Sequence, residues 1–149
     1  MRAVIQRVKY ASVTVNGHVI GSVGPGVAVF IGIHRNDGEA VINWMAEKIV
    51  NLRLFPDEDE KMNLSLADIG EEMLIVSQFT LYGDCRKGRR PGYSEAAPPE
   101  IAEPLYKQFI NQINKKGIRT ATGTFQAKME VSLVNDGPVT LLVDSAKQF

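Results

Sequence analysis

Apolar and polar residues alternate from Ser12 to Asn16, with Val13 and Val15 against Ser12, Thr14 and Asn16, the period-two pattern of a half-buried strand. Asn16-Gly17 supplies a tight type I′ turn, whose two central positions need positive φ, so His18 to Val23 is the return strand. Gly24-Pro25-Gly26 makes the next turn. Val27 to Ile33 is nearly all apolar, which predicts a central strand covered on both faces. Asp37-Gly38 ends the strands and offers a helix cap. Val41, Ile42, Met45, Ile49 and Leu52 then recur at helical spacing, one apolar face of about four turns, with Pro56 just beyond it after Phe55.

The second half repeats these themes. The acidic run Asp57 to Glu60 is a solvated loop, and Leu64 to Asp68 fits either strand or helix. Met73 to Leu81 predicts a strand. Residues 83–99 form a long loop holding Gly83, Gly88, Pro91, Gly92, Pro98 and Pro99, a length often associated with function in compact domains. Ile101, Leu105, Phe109 and Ile113 mark one face of a second helix; Lys115-Lys116 suit its C-terminal dipole and Gly117 its stop. Pro104 either kinks that helix or marks its start. Met129, Val131 and Leu133 alternate with polar residues, and Val139 to Val143 is a further strand. Without internal repeat, low-complexity tract or linker, residues 1–149 read as a single domain. Long strand runs beside two main helices argue against a doubly wound parallel fold. The expectation is α+β: a strongly curved, barrel-like, mostly antiparallel sheet with two main helices packed against it.

Composition narrows the classes. With 149 residues, 44% of them hydrophobic and 23% charged, the chain has the make-up of an ordinary globular domain with a sizeable core. Seventeen basic and seventeen acidic residues cancel, which argues against nucleic-acid binding by bulk charge while leaving room for a local basic patch. Cys85 is the sole cysteine, so no internal disulfide forms and a reducing compartment is expected. No run approaches the roughly 20 apolar residues of a membrane span, and Arg2 and Arg7 interrupt what a signal peptide would keep apolar. The cytoplasm is the expected location. Zinc spacing, a calcium loop, a phosphate-binding glycine loop and a dinucleotide fingerprint are all missing from the sequence.

Candidate chemistry lies in two polar segments set in apolar flanks, Ser77-Gln78-Phe79-Thr80-Leu81-Tyr82-Gly83-Asp84 and Asn135-Asp136-Gly137-Pro138-Val139-Thr140. On a strand, Ser77 and Phe79 face one way and Gln78 and Thr80 the other. A covalent role for Thr80 needs a base, and the only histidines, His18 and His34, fall at hairpin or strand ends with nothing pairing them to Thr80 or Ser77. Positioning a substrate that is already activated, with backbone N–H groups near Phe79 and Thr80 donating to a developing oxyanion, asks less of the chain. The second segment reads by itself as a turn. Arg86, Lys87, Arg89 and Arg90 make a basic loop close to the first segment, either a solvated loop or a contact to nucleic-acid phosphates. Arg7 is either an ion-pair partner or a site residue, and Phe125 either core or pocket wall.

Both segments, in order and inside flanks running from Met1-Arg2-Ala3-Val4-Ile5-Gln6-Arg7-Val8 to Leu141-Leu142-Val143-Asp144, resemble the signature segments of the D-aminoacyl-tRNA deacylases. The resemblance implies a barrel-like homodimer that hydrolyses the ester of D-aminoacyl-tRNA, and of glycyl-tRNA, while rejecting L-aminoacyl-tRNA. It implies no metal or other cofactor, and neither membrane nor DNA as partner. Ser77, Gln78, Phe79 and Thr80 take the catalytic positions, and the tRNA's terminal 2′-hydroxyl assists. The Gly137-Pro138 bond is implied to be cis, with carbonyls that enter the partner subunit's pocket and exclude an L side chain. Two rival readings are a non-catalytic RNA-binding module using the basic loop and Tyr93, and a small-ester or peptide hydrolase with Thr80 as nucleophile.

Overall fold

The computed structural model describes residues 1–149. Strand β1 (Arg2–Val15) turns at Asn16 and Gly17, both at positive φ, into β2 (His18–Val23), and β3 (Gly26–Gly32) follows. The pairs Ala11–Val23 and Val8–Gly26 lie in one antiparallel register against β1. β2 and β3 are therefore two halves of one return strand, interrupted around Pro25, which has no N–H for the ladder. After α1 (Glu39–Val50), β4 (Arg53–Pro56), β5 (Met62–Ser65) and the single turn α2 (Leu66–Ile69), strand β6 (Glu72–Ser77) lies parallel to β3. Helix α3 (Pro99–Lys115) leads to β7 (Thr120–Thr122), parallel to β6, and β8 (Glu130–Asp144) runs antiparallel along the other edge of β1. β2 leans back onto β6 and β7, so the sheet coils into a nearly closed barrel. The expected curved α+β architecture is present, antiparallel around β1 and parallel across β3, β6 and β7.

Strand β3 serves two cores, as its unbroken apolar run requires. Val27, Val29 and Ile31 face the larger one, where Ile5, Met73 and Ile75 meet Ile42, Met45 and Ile49 of α1 and Phe109 and Ile113 of α3. Ala28 faces the smaller one with Val8, Ala11, Val13, Leu74 and Val76. Burial of such side chains is worth roughly 1.5–3 kcal/mol each, so both helices are held by the sheet face that they cover.

Several local expectations change. Asp37 does not cap α1; Gly38 stands at that position without a side-chain bond. The Asp37 carboxylate instead accepts the His34 N–H at 2.7 Å and the Met1 ammonium at 2.9 Å. Leu52 lies beyond the end of α1, and Pro56 ends a short strand paired with β5 around the acidic turn. Leu64 to Asp68 divides: Leu64 belongs to β5, and Ser65 with Asp68 closes a capping box on α2. In α3 the buried stripe is Ala102, Tyr106, Phe109 and Ile113, and Ile101 is exposed. Pro104 sits inside this helix on its outer face, where the carbonyl deprived of a donor reaches water.

Candidate active site

The strand expected to run to Leu81 ends at Ser77. Gln78 adds one ladder bond, its N–H to the Ile31 carbonyl at 2.8 Å, and the chain then enters a 3-10 turn over Phe79–Tyr82. The turn arises because Tyr82 is drawn inward under the Arg2 guanidinium, 4.7 Å from the ring centre. Strand alternation therefore does not sort the first segment. Ser77, Gln78 and Phe79 all line one cavity of about 590 Å³, whereas Thr80 does not line it. The Gln78 side-chain amide donates to the Thr80 hydroxyl.

The cavity lies between the ends of β3 and β6, the first turn of α3 and the segment leading into β8. Ile33, Val76, Ala97 and Ala102 give it apolar walls, and Phe125, Gln126, Ala127, Met129 and Val131 close the other side. Phe125 is thus a pocket wall, tilted against Tyr106 at 5.9 Å. Tyr106 is itself anchored by its hydroxyl donating to the Ile75 carbonyl at 2.9 Å, and burial pushes its phenol pKa well up. The wall residues from α3 and from 125–131 carry no polar motif. Their only sequence signal was an aromatic at Phe125 between strand-like runs. The first intrahelical bond of the 3-10 turn is Leu81 N–H to the Gln78 carbonyl, leaving the Phe79 and Thr80 N–H groups ahead of it. Neither histidine lines the cavity. His34 bonds Glu95 at 2.9 Å, lowering the Glu95 pKa, and the His18 ring lies 3.0 Å from the Asn16 carbonyl.

The second segment does not join two strands as a hairpin turn. Both its flanks belong to β8 and pair with the same partner, β1: Asn135 opposes Val8 and Thr140 opposes Gln6. The residues between them project as a bulge. The Gly137-Pro138 peptide is cis and both residues are exposed. The Asn135 side chain ties the base of the bulge, accepting the Val139 N–H at 2.7 Å and donating to the Val139 carbonyl at 3.1 Å. Arg7 braces it from below, donating to the carbonyls of Asp136 at 3.0 Å and Leu54 at 2.6 Å. Glu71 lies in the same field; burial and the Asp136 charge raise its pKa against the opposing pull of Arg7. Gly137 and Pro138 do not line the cavity of their own chain, so one chain does not unite the two segments.

The basic loop is closed at its base by two backbone bonds between Asp84 and Gly92, at 2.7 and 3.0 Å. Arg86 forks onto Asp84 with two 2.8 Å bonds, which hold the carboxyl well below its usual range. Lys87, Arg89 and Arg90 stand exposed with no ion pair. A second, polar concavity of about 850 Å³ borders this loop. Its charges are already matched internally: Arg2 with Asp144, Met1 with Asp37, and His34 with Glu95.

The first segment thus brings Ser77, Gln78 and Phe79 to an apolar pocket whose lining holds no histidine, aspartate, glutamate or cysteine. The sequence model of the D-Tyr-tRNA(Tyr) deacylase family matches residues 4–144. A D-aminoacyl-tRNA deacylase of Thermosipho africanus is 60% identical, and one of Syntrophobacter fumaroxidans is 58% identical, each over 100% of both chains. A solved structure described as c-Myc DNA Unwinding Element Binding Protein is 43% identical over 97% of this chain and 99% of that one, with a TM-score of 0.92. The chain belongs to the D-Tyr-tRNA(Tyr) deacylase family, hydrolases that act on ester bonds. No helix is long and apolar enough to cross a membrane.

Proposed function

We propose that the protein acts in the cytoplasm as a homodimer, hydrolysing the ester between a D-amino acid, or glycine, and the 3′ end of tRNA while sparing L-aminoacyl-tRNA. The observation that carries this is the cavity bounded by Ser77, Gln78 and Phe79, in a chain whose relatives are D-aminoacyl-tRNA deacylases. The terminal adenosine occupies the apolar pocket. The N–H groups of Phe79 and Thr80 donate to the oxyanion, with Ser77 and Gln78 in support, and the 2′-hydroxyl of the ribose assists the attack. Such preorganised donors act without reorganising during the reaction, so the site needs no protein base.

Selection belongs to Gly137 and Pro138. They are exposed on a braced bulge outside their own cavity, which suits action on a partner's pocket. The dimer is supported by β8, which pairs only with β1 and exposes Val134, Leu141 and Leu142; a second copy covers such an edge. A backbone wall rejects the L side chain sterically and ignores side-chain identity, so glycine passes.

Matched D-tyrosyl- and L-tyrosyl-tRNA test the proposal. Release of tyrosine from the D form alone is the expected result; release from both, or from neither, overturns it. In the same assay Thr80→Ala is expected to keep activity within about tenfold of the parent, because the change removes only the hydroxyl that accepts from the Gln78 amide, one hydrogen bond. Complete loss with the fold intact would restore the Thr80 nucleophile. Lys87, Arg89 and Arg90 are placed on tRNA phosphates, with Arg86 holding the loop through Asp84. Neutralising Arg89 and Arg90 together is expected to weaken tRNA binding and flatten its dependence on log salt by about one to two units. An unchanged slope would remove the loop from the interface.

A further inference from the structure

Phe79 and Tyr93 are large aromatic side chains left 55% and 40% exposed, and they touch each other. Their ring centres are 5.1 Å apart at 70°, an edge-to-face pair that leaves ring surface open to solvent. Phe79 also lines the cavity, so the pair stands on its rim. Two features hold Tyr93 there. The Asp84–Gly92 backbone bonds end immediately before it, and its own carbonyl accepts the Ala96 N–H at 3.1 Å. The ring lies beside Gly83, where a Cβ would come 3.2 Å from the ring edge. Beyond the same backbone bonds the loop carries the unpaired cations Lys87, Arg89 and Arg90. An exposed aromatic face followed by free cations is the combination that binds single-stranded nucleic acid, stacking for bases and charge for phosphates.

We infer that Phe79 and Tyr93 form a stacking platform for the base of the nucleotide immediately 5′ to the terminal adenosine. This rests on the assignment of the terminal adenosine to the cavity. A tRNA 3′ end is single-stranded, so once its last nucleoside enters the pocket the preceding base must lie at the rim. There it meets the Tyr93 ring, and its phosphate points along the loop toward the cations. Stacking is indifferent to base-edge chemistry, which suits a site that must accept the shared end of every tRNA. Tyr93 is a positioning residue in this scheme: it fixes the strand so that the ester reaches the donors at Phe79 and Thr80.

A two-way cycle tests the inference. D-Tyrosyl-tRNA with its normal penultimate cytidine is compared with the same tRNA carrying an abasic ribose there, using the parent protein, Tyr93→Ala and Tyr93→Phe. In the parent, removing the base is expected to lower kcat/KM about tenfold, as for one lost stack. Tyr93→Ala is expected to lose about tenfold on normal tRNA and little more on the abasic one, because both changes delete the same contact. Tyr93→Phe keeps the ring and should behave as the parent. Equal cost of base removal in the parent and in Tyr93→Ala, or no cost in the parent, overturns the platform. Free adenosine as competitor separates this outcome from the cavity assignment. Inhibition unchanged by Tyr93→Ala supports a role confined to the penultimate base, and inhibition weakened about tenfold shows that Tyr93 acts on the pocket itself and overturns the platform. Absence of competition overturns the cavity assignment and with it the platform, whereas a failed cycle with competition intact overturns the platform alone.

Discussion

Gly137→Ala is expected to cut discrimination between D- and L-tyrosyl-tRNA by roughly 10- to 100-fold, the range of a mis-shaped steric pocket, while D-tyrosyl-tRNA is still hydrolysed. Gly137 has φ +138, which an L side chain rarely adopts. A Cβ there would stand 2.8 Å from Val139 Cγ2, 2.9 Å from Val139 N and 3.2 Å from an Arg7 nitrogen. None of these neighbours yields freely. The Val139 N–H is held by Asn135, and Arg7 is tied to the carbonyls of Asp136 and Leu54. The bulge itself must therefore move, and with it the wall proposed to exclude the L side chain. The Ser77–Phe79 cavity shares β8 with the bulge only at Val131, six residues before Gly137, and is expected to keep its shape. Parallel time courses on the two esters check this. Unchanged selectivity would take Gly137 out of chiral selection, and equal loss on both esters would place it in bond cleavage.

Gly26→Ala is expected to destabilise the fold by on the order of 3–5 kcal/mol, the scale of a buried clash that the backbone must absorb. An added Cβ would fall 2.0 Å from the Glu72 carbonyl oxygen at φ +151. Gly26 pairs with Glu72 at the start of the β3–β6 ladder, so relief of the clash spreads the two parallel strands. The same Glu72 side chain accepts the Gly24 N–H at 2.8 Å and pairs with Arg119 at 3.0 Å, which gives the neighbourhood little slack. β6 ends in the cavity residues, so activity is expected to fall with the urea midpoint. A midpoint equal to the parent's would mean that β3 and β6 part at no cost.

Much of the architecture was legible because local pattern and tertiary demand agree. The Asn16-Gly17 turn, the doubly covered β3 and the inner face of α1 follow from periodicity and turn chemistry, which act over a few residues. Elements whose form depends on distant partners were not legible. The 3-10 turn after Ser77 depends on Tyr82 meeting Arg2, eighty residues earlier in the chain but at the same end of the sheet. The three-residue β7 exists because β6 offers it an edge. In α3, Ile101 had as good a claim to the core as Ala102 and Tyr106 until packing chose the stripe, while Leu105 stays half-buried against the core.

The candidate site divides along the same line. By itself the sequence determined the family, the two polar segments and the positions of Ser77, Gln78, Gly137 and Pro138 within them, because such segments are read residue by residue. Tertiary structure alone decided that Thr80 turns away from the cavity, that Phe125 and Met129 wall it, and that Asn135–Thr140 is a bulge on one strand braced by Arg7. These outcomes depend on which backbones lie side by side. Strand register and packing bring together residues more than a hundred positions apart, and no local pattern carries that information.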